Sequence, residues 1–168
     1  MWTGFTDATR ENGCLQVIPG SHRRMNYDET KRMTYDTAQI NAHVKDGVPR
    51  GFFGYDYRQL QIDPDWKPAE EDAFDLVMER GQCIIFWSTL MHASRPNTTA
   101  KSHRMGFATR YVPSSVRVYP DTDRVEECGG SIPLDKWGAV LVHGEDDSGH
   151  NKILRESLHG TPISDFLR

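Results

Sequence analysis

Short apolar and aromatic runs, each bounded by Gly, Pro, Asn or Asp, set the pattern of the first part of the chain. Residues 2–6, Trp2-Thr3-Gly4-Phe5-Thr6, read as an aromatic-rich strand that begins in mid-pattern, with no cap or turn before it. Such a start is expected of a piece of a longer protein. Residues 14–18 form a second strand. Asn12-Gly13 stands between the two and tolerates the positive φ of a hairpin turn, so the two strands are expected to pair. Pro19-Gly20-Ser21 ends the second strand, and residues 23–50 are polar and poorly periodic, a long excursion with at most short helices. The aromatic run Gly51-Phe52-Phe53-Gly54-Tyr55-Asp56-Tyr57 follows. Pro64 and Pro68 then break the chain before a short acidic helix candidate at residues 69–74.

Strand signals return at residues 76–78, with a turn at Arg80-Gly81. Residues 83–87, Cys83-Ile84-Ile85-Phe86-Trp87, are continuously apolar, as in a strand buried on both faces. A further strand is predicted over residues 104–112, and a weak one over 139–142. Many short strands with few helical periods predict a mainly β protein, an antiparallel sandwich or jelly roll. The 168 residues suit a single domain spanning 1–168.

Alternation along strands groups the chemistry. Ile84, Phe86, Ser88, Leu90 and His92 share one face if the strand stays regular that far, which points His92 into the barrel. On the return strand Arg104, Gly106, Ala108 and Arg110 share one face, and Met105, Phe107, Thr109 and Tyr111 the other; either face could be the packed one. Interior arginines require an anion or acidic partners, because an unpaired buried charge costs several kcal/mol. A dicarboxylate fits: guanidinium matches carboxylate bidentately, and Gly106 and Ala108 leave room beside it. Six residues of extended strand separate the two arginines by roughly 20 Å, so Arg104, nearer His92, takes the carboxylate role and Arg110 a weaker one.

Composition narrows the classes. A net charge of -4 from 20 basic and 24 acidic residues leaves no footprint for nucleic acid or an anionic membrane. Cys14, Cys83 and Cys128 are odd in number and lack metal-type spacing, and two of them sit in apolar runs that suit buried free thiols, which suggests a reducing cytoplasm. No run of about 20 apolar residues could span a bilayer, and no signal segment opens the chain. No histidine pair has zinc spacing, and no serine or cysteine sits in a nucleophile elbow.

Asn12-Gly13-Cys14 leading to Ile18-Pro19-Gly20-Ser21-His22, then Gly81-Gln82 before an apolar strand and His92-Ala93-Ser94, resembles the phytanoyl-CoA dioxygenase superfamily of iron(II)/2-oxoglutarate oxygenases. Longer runs are similar to the non-haem iron halogenases of the syringomycin-biosynthesis type: the stretches from Tyr27 to Tyr35, Gly51 to Leu60, Phe86 to Ser94 and Arg104 to Ala108. That resemblance implies a double-stranded β-helix of the jelly-roll or cupin-like kind, incomplete at its N-terminus, and chlorination of an unactivated carbon on an amino acid tethered to a peptidyl carrier protein, with Fe(II), 2-oxoglutarate and chloride as cofactors. It implies His92 as the distal iron ligand, Arg104 on the far carboxylate of 2-oxoglutarate, and Trp2 against the same co-substrate. Ser88 would line the halide pocket, Arg110 would order the halide through water, and Phe52 and Phe53 would border the substrate channel.

In these halogenases an alanine replaces the carboxylate ligand of ordinary members, so that chloride takes the vacated position. The proximal histidine and that alanine belong upstream of Trp2, so the chain reads as a C-terminal portion, inactive alone and completed by an N-terminal segment. A hydroxylase on the same scaffold and a non-catalytic remnant or carrier-protein-binding module are the alternatives.

Overall fold

The computed structural model describes residues 1–26, 60–119, 122–127 and 130–167, together with two short strands at 44–45 and 48–49. The chain divides into two compact units, Met1–Arg110 and Tyr111–Arg168.

In the first unit the strands fall into two antiparallel three-stranded sheets. β1 (Trp2–Gly4) lies between β6 (Cys83–Ile84) and β8 (Gly106–Ala108). β2 (Leu15–Val17) lies between β5 (Phe74–Leu76) and β7 (His92–Ser94). In chain order β1 enters the first sheet, β2 and β5 the second, β6 the first, β7 the second and β8 the first again. This shuttling is the double-stranded β-helix expected from the sequence. β3 (Val44–Lys45) and β4 (Val48–Pro49) form a separate antiparallel pair.

The core lies between the two sheets. Trp2 and Ile84 reach it from the first, Leu15 and Leu76 from the second, and Ala8, Cys14, Met78 and Phe86 fill in from the connections.

The expected pairing of the first two strands is overturned. β1 pairs with β6 and β8, while β2 pairs with β5 and β7. Gly13 does take a positive φ of 95°, but its turn carries the chain from one sheet to the other. Asn12, buried there, accepts from the Thr9 N–H at 2.7 Å and donates to the Asp7 carbonyl at 2.9 Å and Ser102 Oγ at 3.3 Å. Gly13 also needs its missing side chain, since a Cβ would stand 2.8 Å from the Arg95 carbonyl oxygen.

Residues 83–87 do not form a strand buried on both faces. β6 stops at Ile84; Ile84 and Phe86 pack on the core, while Cys83 is exposed and Ile85 and Trp87 are 78% and 73% exposed. Of the two thiols expected to be buried, Cys14 is and Cys83 is not; Cys128 lies outside the described residues. The strand expected over 104–112 contracts to β8, extended by a reciprocal pair of bonds between Met1 and Thr109. The candidate helix at 69–74 is a single 3-10 turn, Glu70–Asp72, and a second 3-10 turn spans Ser21–Arg24. The run at 76–78 supplies the end of β5 and a bridge from Met78 to Ala8. Most of residues 23–57, including the aromatic run from Gly51, lies outside the described residues.

In the second unit β9 (Arg124–Glu127) pairs antiparallel with β10 (Gly130–Pro133). Asn151 pins residues 114–118 by accepting from the Val118 N–H at 3.0 Å and donating to the Val116 carbonyl at 2.8 Å. Tyr119 meets Trp137 edge-on at 4.9 Å. The weak strand expected at 139–142 is reduced to one bridge, Ala139 to Ile153. Among the described residues no helix is long and apolar enough to cross a membrane.

Candidate functional site

Register decides which faces look inward. In an antiparallel pair, residues directly opposite each other point to the same side. Leu15 and Val17 are buried on β2, and their partners on β7 are Ser94 and His92. His92 and Ser94 therefore face the space between the sheets, although both remain exposed there. On the first sheet Trp2 and Gly4 are buried and stand opposite Ala108 and Gly106. The arginine-bearing face of the return strand is thus the inward one. Met105 and Phe107 point outward and are more than half exposed.

Arg104 ties the two sheets together. It enters from the first sheet, just before β8, and its Nε donates to the Gly13 carbonyl at 2.8 Å while Nη2 donates to Ser94 Oγ on β7 at 2.8 Å. Its guanidinium carbon stands 5.5 Å from the centroid of the Trp2 ring, a cation–π contact. The other N–H donors of its fork have no partner among the described residues. A half-buried, fixed guanidinium whose remaining donors meet no described residue is suited to a carboxylate.

His92 sits two residues from Ser94 on the same face. Its Nδ1 lies 2.8 Å from the Leu90 carbonyl. A carbonyl only accepts, so Nδ1 is the donor there; in the neutral ring this leaves the Nε2 lone pair for a ligand, the arrangement by which metal-binding histidines are oriented. Phe86 packs on the ring with centroids 5.1 Å apart and planes tilted by 57°. The turn before β7 is itself held: the Met91 N–H donates to Ser21 Oγ at 2.8 Å, and Ser21 is 1% exposed. Among the described residues no three His, Cys, Asp or Glu side chains come together as a metal cluster. His92 fits a metal as one ligand of a set.

The structure sets Arg104 against Trp2 and ties it to the strand of His92 through Ser94, a residue to which the sequence assigned no role. The signal for Ser94 was present, since it stands two residues beyond His92 on one strand. Ser88 lies in the turn closed by the Leu90 N–H to Trp87 carbonyl bond and is exposed. That turn breaks the alternation, so the shared face expected from Ile84 through Ser88 to His92 does not exist. Arg110 is exposed two residues past β8 and makes no hydrogen bond or ion pair among the described residues. Phe52 and Phe53 lie outside the described residues.

Sequence reasoning also missed a polar cluster on the outer face of the second sheet. Asp75 accepts from Arg95 Nε at 2.7 Å, Arg10 Nε at 2.9 Å and Gln16 Nε2 at 2.9 Å, which links β5 to β7 across β2. The Arg95 hydrogen bond, with those of Gln16 and the nearby cations, holds the Asp75 carboxyl below the usual carboxylate range and raises Arg95 in turn. Burial, followed by the Asp75 charge, pushes the Cys14 thiol up.

The profile of the family described as phytanoyl-CoA dioxygenase (PhyH) matches residues 1–106, nearly the whole first unit. The chain belongs to the phytanoyl-CoA dioxygenase family. Within it, the chain is similar to phytanoyl-CoA dioxygenase domain-containing protein 1 of Mus musculus, 31% identical over 104 residues, and to its homologue in Dictyostelium discoideum, 29% identical over 102. These alignments cover 62% and 61% of the chain and 30% of each relative. Among solved structures it is similar to CytC3 with Fe(II) and alpha-ketoglutarate, at 38% identity and a TM-score of 0.60. A second CytC3 structure is 40% identical, also with a TM-score of 0.60. Each comparison covers 96% of this chain and 46% of CytC3, so the chain spans less than half the length of the relatives it matches.

Proposed function

We propose that this member of the phytanoyl-CoA dioxygenase family forms the distal wall of an iron(II)/2-oxoglutarate site that chlorinates an amino acid carried as a thioester on a peptidyl carrier protein. The observation that carries the reading is the Arg104 bridge: a guanidinium fixed by Gly13, Ser94 and Trp2, with no further partner among the described residues, bonded to the same face of β7 that bears His92. The Fe(II) and alpha-ketoglutarate named with CytC3, 38% identical over nearly all of this chain, support the same pair of cofactors here.

His92 would be one iron ligand, and Arg104 would grip the far carboxylate of the oxo-acid. Trp2 and Phe86 would bound the space and keep water from it. When bound, iron with 2-oxoglutarate supplies the oxidising power to remove hydrogen from unactivated carbon. Overall, the substrate C–H, chloride and a proton, with 2-oxoglutarate and dioxygen, become C–Cl, succinate, carbon dioxide and water. The choice of chlorination rests on the resemblance of the runs Tyr27 to Tyr35, Gly51 to Leu60, Phe86 to Ser94 and Arg104 to Ala108 to carrier-dependent halogenases.

Hydroxylation on the same scaffold is the second reading, favoured by the dioxygenase relatives in mouse and Dictyostelium. Mass spectrometry of carrier-bound aminoacyl substrates after incubation with the complete protein decides between them: a chlorinated product supports the proposal, and a hydroxylated product at saturating chloride overturns it. Any longer polypeptide that contains this chain offers a parallel check before Trp2, His-x-Ala for chlorination and His-x-Asp or His-x-Glu for hydroxylation.

A further inference from the structure

The Trp2 indole lies across a pair of glycines. Gly4 on β1 and Gly106 on β8 are register partners, and both meet the ring. They are not equivalent. A Cβ on Gly4 would make ordinary 3.5 Å contacts with the far edge of the indole and stand 3.2 Å from the Thr6 carbonyl oxygen. A Cβ on Gly106 would fall 2.2 Å from Cζ2, 2.4 Å from Cε2 and 2.7 Å from Nε1, inside the ring's own volume. Gly106 is not among the glycines with positive φ, so the need for glycine is steric and comes from the indole.

We infer that Gly106 is a positioning residue: its missing side chain is the slot that seats Trp2, and the seated indole aims the Arg104 guanidinium at its carboxylate ligand. The inference rests on the proposed role of Arg104 and extends it to a residue two positions along the same strand face. Any side chain at 106 displaces the indole, because strand backbone holds both partners and neither can retreat. The guanidinium then keeps its bonds to Gly13 and Ser94 but loses the surface that fixes its plane.

The test is calorimetric titration of 2-oxoglutarate into the complete, iron-loaded protein without oxygen, with near-ultraviolet circular dichroism reporting the indole. Gly106→Ala is expected to raise the dissociation constant about tenfold, the scale of a desolvated cation–π contact, and to change the indole signal. Gly4→Ala is expected to stay within about twofold. Trp2→Leu and Trp2→Leu with Gly106→Ala should bind equally, since the slot has no effect once the ring is gone. This pair also serves if Gly106→Ala alone does not fold.

Unchanged affinity in Gly106→Ala despite a displaced indole, or unequal binding by the Trp2→Leu pair, would overturn the inference and leave the role of Arg104 standing. Wild-type affinity in Arg104→Ala would overturn both.

Discussion

A guanidinium held by a main-chain carbonyl, a serine hydroxyl and an indole has lost most of its freedom before any ligand arrives, so little ordering entropy remains for binding. Replacing Arg104 by Ala in the complete protein should raise the 2-oxoglutarate Michaelis constant about tenfold to a hundredfold, the worth of one or two charge-assisted hydrogen bonds. Steady-state kinetics at varied 2-oxoglutarate checks this, and an unchanged constant counts against the assignment. Asp75 predicts an effect unrelated to turnover. Its folded carboxyl lies below the ordinary value of 3.8, so its contribution to stability is complete above that value and disappears as pH falls through the folded one. Asp75→Asn should therefore melt lower than wild type at pH 7, with the difference closing toward pH 2; parallel melting curves across that range would contradict it. At this scale the sequence was legible where the strand is regular: Arg104 and Gly106 fall on one face by simple alternation. Ser94 and the Gly13 carbonyl, which complete the grip, were illegible because a pairing partner 10 or 91 positions away leaves no local mark.

The same division runs through the elements. Asn12-Gly13 announced a positive φ, and Gly13 has one, yet a dihedral does not choose a partner strand. β1 found Ala108 and Ile84 rather than its neighbour β2 because long-range pairing is settled by burial of Trp2, not by the nearest turn. His92 was located by its motif, but its face is set by β7 pairing with β2 after the turn at residues 87–90 has reset the alternation. Ser21 is part of that placement. Ser21→Ala leaves the Met91 N–H without its partner beside a buried residue and should cost about 1–3 kcal/mol in urea denaturation. It should also loosen the turn leading into His92, seen as faster hydrogen exchange at Met91. Wild-type stability and exchange would show that the hydroxyl does not hold the turn.

For the whole molecule, apolarity in the sequence recorded a demand for cover that the described residues meet on one side only. Phe5, Ile85, Met105 and Phe107 project from the outer face of the first sheet, each more than half exposed, with the Phe5 and Phe107 rings stacked at 6.4 Å. A bare apolar sheet face of this kind promotes association. Sedimentation of the isolated 168-residue chain should show concentration-dependent self-association, relieved by Ile85→Lys with Phe107→Lys; a monomer at all concentrations would contradict it. The jelly-roll class was readable because short punctuated strands have few other solutions. The central claim is that His92 and Arg104 serve one iron and 2-oxoglutarate site, and anaerobic titration of the complete protein with iron(II) and 2-oxoglutarate tests it most directly. Wild type should develop the weak visible charge-transfer band of a chelated oxo-acid, His92→Ala should not, and Arg104→Ala should need more 2-oxoglutarate to reach it. The same band, saturating at the same concentration in all three proteins, would contradict the account.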